Sequence, residues 1–147
     1  MYKTVIPYED WDGTEKTAEC RFHLTKGELL KLNLRYGGDI KTRLEVLAER
    51  EDWAGIFELM EDIVLTAYGE KCRDSEGREV FRKDEERKAA FRGSEAYSEL
   101  MVRLMQPEYL KEFLLGIVPV SLSQAVQESP AYQELLAKMN AADRAAT

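Results

Sequence analysis

From Trp53 to Ala67 apolar residues recur every three or four positions: Trp53, Ile56, Phe57, Met60, Ile63, Val64 and Ala67. A stripe sustained over four turns is the signature of a helix with one face buried against other elements, because such a helix gains its stability from packing. Asp52 stands where a side-chain oxygen can satisfy the free N–H groups of the first turn, and Gly69 reads as the stop. The stripe places Trp53, Phe57, Met60 and Val64 at the centre of a core. On that reading Phe57→Ala costs about 3–5 kcal/mol.

The neighbouring segments supply partners for that helix. Thr25-Lys-Gly-Glu28 is a capping box, in which hydroxyl and carboxylate each satisfy a backbone N–H. Leu29, Leu30, Leu32 and Leu34 follow, and Gly37-Gly38 stops the helix. Asp39 caps a second helix with Ile40, Leu44, Leu47 and Ala48 in a stripe. Beyond residue 83, Asp84 opens a charged helix that runs through Phe91 and breaks at Gly93. Ser94 caps another with Tyr97, Leu100, Met101 and Leu104. Pro107 suits a first helical turn, ahead of Leu110, Phe113, Leu114 and Ile117, with Pro119 as the end. Residues 70–83 read as a polar loop turning at Glu76-Gly77, with Val80 and Phe81 either a very short strand or a pin to the core.

The N-terminus has the other period. Ala18, Cys20, Phe22 and Leu24 alternate with Thr17, Glu19, Arg21 and His23, so one face of a strand is oily and the other polar. The β-branched and aromatic residues of 2–8, with the turn signal Asp12-Gly13 between, complete a β-hairpin. A lone hairpin is marginal in water and must lie on something. The fold expected is mainly α, of the α+β kind: an N-terminal β-hairpin followed by a bundle of about five or six helices, with strand chiefly in residues 2–24.

Composition changes after Pro119. Residues 120–129 are short and polar, Ser129-Pro130 looks like a helix start, and Tyr132, Leu135, Leu136 and Met139 form a small apolar stripe. The chain therefore divides into a hairpin-plus-helix domain, 1–119, and a C-terminal linker with a short amphipathic helix, 120–147.

Charge and cysteine usage exclude several classes. With 28 acidic against 21 basic residues, the net charge of −7 argues against binding nucleic acid through its phosphates. Two cysteines, Cys20 and Cys72, make no disulfide framework or metal spacing. No signal peptide precedes Glu9, Asp10 and Asp12, and the apolar run Phe113–Val120 falls far short of the roughly 20 residues of a membrane span. The expectation is a reduced, cytoplasmic protein with no membrane contact.

Chemistry finds no foothold. His23, the single histidine, reads as exposed on the polar face of its strand, without partners for base catalysis. Cys20 faces the oily side as a small hydrophobe. Cys72 lies between Lys71 and Arg73, cations able to lower a thiol pKa, but lacks a second histidine to pair with. Glu58, Glu61 and Asp62 share a helix; without a histidine or facing carboxylates they read as a solvated face rather than a cation site. No catalytic residue, cofactor or metal is expected. Trp11, at the hairpin tip, either anchors a partner or folds back on its own domain.

Three stretches carry a family resemblance: the hairpin running into Phe22-His-Leu-Thr-Lys-Gly-Glu-Leu29; Ala67-Tyr-Gly-Glu-Lys71 with a polar turn at Gly77 and then Phe81-Arg-Lys83; and Phe91 through Ser94-Glu-Ala-Tyr97 to Gly116-Ile-Val-Pro119. In this order they resemble the small tail assembly chaperones of long-tailed bacteriophages of Gram-positive hosts. The resemblance implies a non-enzymatic helical protein with an N-terminal hairpin. It also implies two partners, a tape-measure protein that it keeps soluble and a tail-tube protein that polymerises around it. Such proteins work in the cytoplasm of the infected host, are absent from the finished virion, and in many cases have a longer frameshifted form. The stripe Tyr132, Leu135, Leu136 and Met139 is then client-facing or self-associating, or docks on the parent domain. The competing class is a small acidic inhibitor that mimics nucleic acid to block a host nuclease or defence protein; the basic residues interspersed along the chain speak against it. A small hydrolase would need a nucleophile–base pair that the sequence lacks.

Overall fold

The computed structural model describes residues 1–118. The segment with Tyr132, Leu135, Leu136 and Met139 lies outside the described residues, as does Pro119. In chain order the elements are β1 (Tyr2–Glu9), β2 (Glu15–Phe22), α1 (Lys26–Arg35), α2 (Ile40–Glu49), α3 (Trp53–Ala67), β3 (Tyr68–Arg73), β4 (Glu79–Arg82), α4 (Glu85–Arg92), α5 (Glu95–Leu104) and α6 (Pro107–Ile117). The fold is mixed α+β. Most of the strand lies in residues 2–24, as expected, but residues 68–82 form a second hairpin in which Val80 and Phe81 belong to a short strand, and the four strands make one antiparallel sheet in the order β1-β2-β3-β4.

Both hairpins close on one device. The N–H groups of Asp10 and Asp74 donate to the carbonyls of Thr14 and Arg78, at 3.0 and 2.9 Å. Each aspartate carboxylate accepts the N–H groups two and four residues ahead, all at 2.9 Å. Gly13 and Gly77 take φ of +81° and +79°, the left-handed position that a type I turn with a bulge requires. Those backbone bonds hold both carboxyls below the ordinary aspartate range. The two hairpins meet only at Arg21↔Gly69 and Phe22↔Tyr68, extended by the His23 N–H to the Ala67 carbonyl at 2.9 Å.

Gly69 is therefore a strand residue and not the end of the helix, which stops at Ala67. It is needed for close approach: a Cβ there would lie 2.6 Å from Phe81 Cζ and 2.9 Å from the Arg82 carbonyl oxygen. One contact is a ring and the other is backbone, so the strand pair itself must shift. Gly69→Ala is expected to lower stability by about 1–3 kcal/mol. Denaturant unfolding checks this; a change below about 0.5 kcal/mol would show that β4 yields freely.

The helix ends follow their sequence signals. Thr25 and Glu28 form both halves of the capping box, at 3.1 and 2.9 Å. The Gly38 and Gly37 N–H groups close α1 on the carbonyls of Asn33 and Leu34, the Schellman arrangement. Asp39, Asp52, Asp84 and Ser94 each cap the helix that they precede. The stripes of α2, α5 and α6 are buried at every position named from the sequence.

The stripe of α3 is rotated from the expected one. Ile56, Leu59, Met60, Ile63, Val64 and Ala67 are buried, whereas Trp53 and Phe57 are 38% and 41% exposed. Two neighbours set this rotation. The α2–α3 contact brings Leu47 against Gly55, and α3 also packs on α5, which together centre the buried arc on Ile56, Ile63 and Ala67. Phe57 lies about 100° around the axis from Ile56, at the edge of that arc, and Trp53 is the first residue of the helix, so the large loss expected for Phe57→Ala does not follow.

The core lies between the sheet and the helices. Ile6, Cys20, Phe22 and Leu24 enter it from the first hairpin. Phe22 is the hub of an aromatic cluster, with ring centroids 5.2 Å from Phe113, 5.8 Å from Tyr68 and 5.9 Å from Phe91. Tyr68 and Phe91 stack at 4.0 Å. One strand residue thus joins β3, α4 and α6.

Candidate functional site

The aspartate-bonded turn after β1 displays Trp11, which is 87% exposed. The side chain is therefore not folded back on its own domain. A pair of apolar side chains is also displayed on α1: Leu30 and Leu34 are 58% and 72% exposed. Helical geometry explains them. Leu34 is about 200° around the axis from Leu32, so burying Leu32 turns Leu30 and Leu34 outward. The sequence reading treated the four leucines as a group and did not separate this pair; its signal was spacing of two, which one helix face cannot hold. The remaining sequence candidates, Tyr132, Leu135, Leu136 and Met139, lie outside the described residues.

Polar side chains here act as ties between elements. Lys83, at the end of β4, donates to the His23 carbonyl and to Glu28 of α1, the latter at 2.5 Å. Asp62 of α3 takes two bonds from Arg35 at 2.7 and 2.8 Å and one from the Tyr36 hydroxyl at 2.6 Å. Burial first, then this carboxylate, pushes the Tyr36 phenol up to about 12. Glu61 accepts the Tyr97 hydroxyl and faces Arg92 at 3.6 Å. Thus Asp62 and Glu61, read from sequence as a solvated face, pin α3 to α1 and to α4 and α5.

Groups with reactive potential are dispersed. Burial pushes the Cys20 thiol up to about 11, so it is protonated at neutral pH. Cys72 is a strand residue, not a loop residue, and its thiol donates to the Glu70 carbonyl at 3.8 Å. His23 follows the end of β2 and is half-buried rather than exposed, with Nδ1 lacking a hydrogen-bond partner. Its desolvation, with the nearby N-terminal ammonium and Lys83, lowers its pKa. Among the described residues, no three His, Cys, Asp or Glu side chains are grouped to hold a metal ion. No helix among them is long and apolar enough to cross a membrane.

The geometry therefore offers displayed apolar side chains on firmly tied elements. No curated protein and no solved structure matches the chain. The model of one protein family, phage tail assembly chaperone, matches residues 1–147 from end to end, and the chain belongs to that family.

Proposed function

We propose that this chaperone binds the tape-measure protein, keeps it soluble, and promotes polymerisation of the tail-tube protein around it. It does so without enzymatic chemistry, in the cytoplasm of the infected bacterium, and is left out of the finished virion. The observation that carries this reading is Trp11, 87% exposed on a turn fixed by four hydrogen bonds to the backbone and carboxylate of Asp10. A large aromatic side chain on a rigid support binds at small entropic cost and is a frequent interface anchor. Tyr132, Leu135, Leu136 and Met139 supply a second client-binding element, at the helical spacing that suits a helix-rich client. The nucleic-acid-mimic alternative fits less well. The outer face of the sheet mixes charges, pairing Lys3 and Arg21 with Glu19 and Lys71 with Glu79.

Co-expression with the tape-measure protein tests the proposal. The full chain is expected to keep the client in the soluble fraction. Deleting residues 121–147 should abolish this while leaving the domain folded with at most a small fall in melting temperature, and Trp11→Ala should reduce client recovery several-fold with the fold intact. A client equally soluble with and without the chaperone would overturn the proposal. A large fall in melting temperature on deletion would show that the tail belongs to the core.

A further inference from the structure

We propose that the apolar stripe Tyr132, Leu135, Leu136 and Met139 docks within its own chain, on the outward face of α1 formed by Leu30 and Leu34. The inference stands apart from the chaperone reading, because it concerns the chain without a client.

Three observations lead there. The first is the open pair itself: two leucines one turn apart, both more than half exposed, on the side of α1 opposite the buried Leu32. The second is where the described chain ends. The Leu24 N–H donates to the Ile117 carbonyl at 2.7 Å, and Val118 is buried in the core. The end of α6 is therefore held one residue before Thr25, the cap of α1. Residues 119–131 can extend at most about 45 Å, whereas Leu34 lies only about 13 Å along α1 from its start. The stripe is thus in reach, at an effective concentration on the order of millimolar, which a second chain in dilute solution does not match.

The third observation is charge. Lys26 and Lys31 are exposed on α1, while Glu128 stands just ahead of the stripe; Glu134 falls at helical spacing on the face opposite it. The acidic residue of α1, Glu28, is already held by Lys83, so the face offered is basic beside its leucines. Lys138 is the one basic residue within reach of the stripe's own turns and is placed toward its far end. An amphipathic segment laid along two leucines with cations beside them is a helix-on-helix contact of the ordinary kind.

Disulfide trapping in a Cys72→Ser background tests the contact. Cys20, being buried, is left in place. Leu34→Cys is combined in turn with Leu135→Cys, Leu136→Cys or Met139→Cys, and with Ala137→Cys as an off-stripe control. At least one on-stripe pair is expected to close within a single chain ten-fold or more faster than the control. Equal rates would overturn the proposal, and disulfides formed mainly between chains would assign the face to a second copy instead. The second arm uses Leu30→Glu with Leu34→Glu. Both side chains are exposed in the described domain, so the domain should stay folded and melt only a few degrees lower, while trypsin cleavage after Lys138 accelerates ten-fold or more. Cleavage at the wild-type rate would overturn the docking.

Discussion

Phe22→Ala is expected to cost about 3–5 kcal/mol, the largest loss from any single side chain in this domain. For a chain of this size it corresponds to a fall in melting temperature of roughly 10–20 °C. Phe22 is fully buried, and its ring touches Phe113 of α6, Tyr68 of β3 and Phe91 of α4. Alanine leaves a hole whose walls belong to three elements fixed by separate contacts, so the cavity cannot collapse cheaply. Edge-on aromatic pairs add about 0.5–1.5 kcal/mol each beyond the area that they bury. The informative control is Phe57→Ala, the same chemical change at a site 41% exposed, where the loss should stay at about 1–2 kcal/mol. Equal midpoints for the two variants in urea would mean that the packing around Phe22 is misassigned.

That contrast shows what the sequence could and could not reveal. Helix ends were legible because a cap is a local transaction: Thr25 needs only Glu28, and Asp52 needs only the N–H of Gly55. The rotation of α3 was not. Trp53, Phe57, Ile56 and Met60 all satisfy a helical stripe, and the choice between them is made by α2 and α5, which lie far away in sequence. The first strand of the second hairpin, β3, was missed for a related reason, whereas Val80 and Phe81 had a short strand as one of two readings. Glu70, Lys71 and Arg73 are polar residues on a small outlying part of the sheet, so no hydrophobic alternation marks the strand. The signal that was available was the turn, since Asp74-Ser-Glu-Gly77 repeats the pattern of Asp10-Trp-Asp-Gly13. The site divides similarly. The place of Trp11 at a turn tip was legible from Asp12-Gly13, but whether its side chain folds back was not, because that depends on what packs beneath the turn. The exposure of Leu30 and Leu34 follows from Leu32 being buried, which only the packed structure decides.

Lys83→Met should lower stability by about 1–3 kcal/mol at neutral pH, the range for losing hydrogen bonds to a charged group. Methionine keeps the stem but strands the Glu28 carboxylate and the His23 carbonyl, both of which Lys83 now satisfies. The two partners are not equally served by their pairing. For Lys83, burial is the larger influence and lowers its pKa despite Glu28. For Glu28, burial acts upward, but the bonds from Lys83 and the Thr25 N–H together outweigh it and lower its pKa. The pair is therefore costly to break from one side and of small net worth as a whole. Lys83→Met combined with Glu28→Gln removes both charges and keeps the cap, because glutamine serves a capping box as well as glutamate does. The double variant should recover at least half of the single variant's loss. The pH dependence has a definite sign. A carboxylate with a lowered folded-state pKa stabilises the protein above its unfolded value and loses that contribution as pH falls through the folded one. Without Lys83 that lowering is largely gone, so the gap between wild type and Lys83→Met should be widest near pH 7 and narrow below about pH 4. A gap independent of pH, together with no recovery in the double variant, would mean that Lys83 acts through its ammonium over the Phe81 ring, 5.8 Å from the centroid, and not through Glu28.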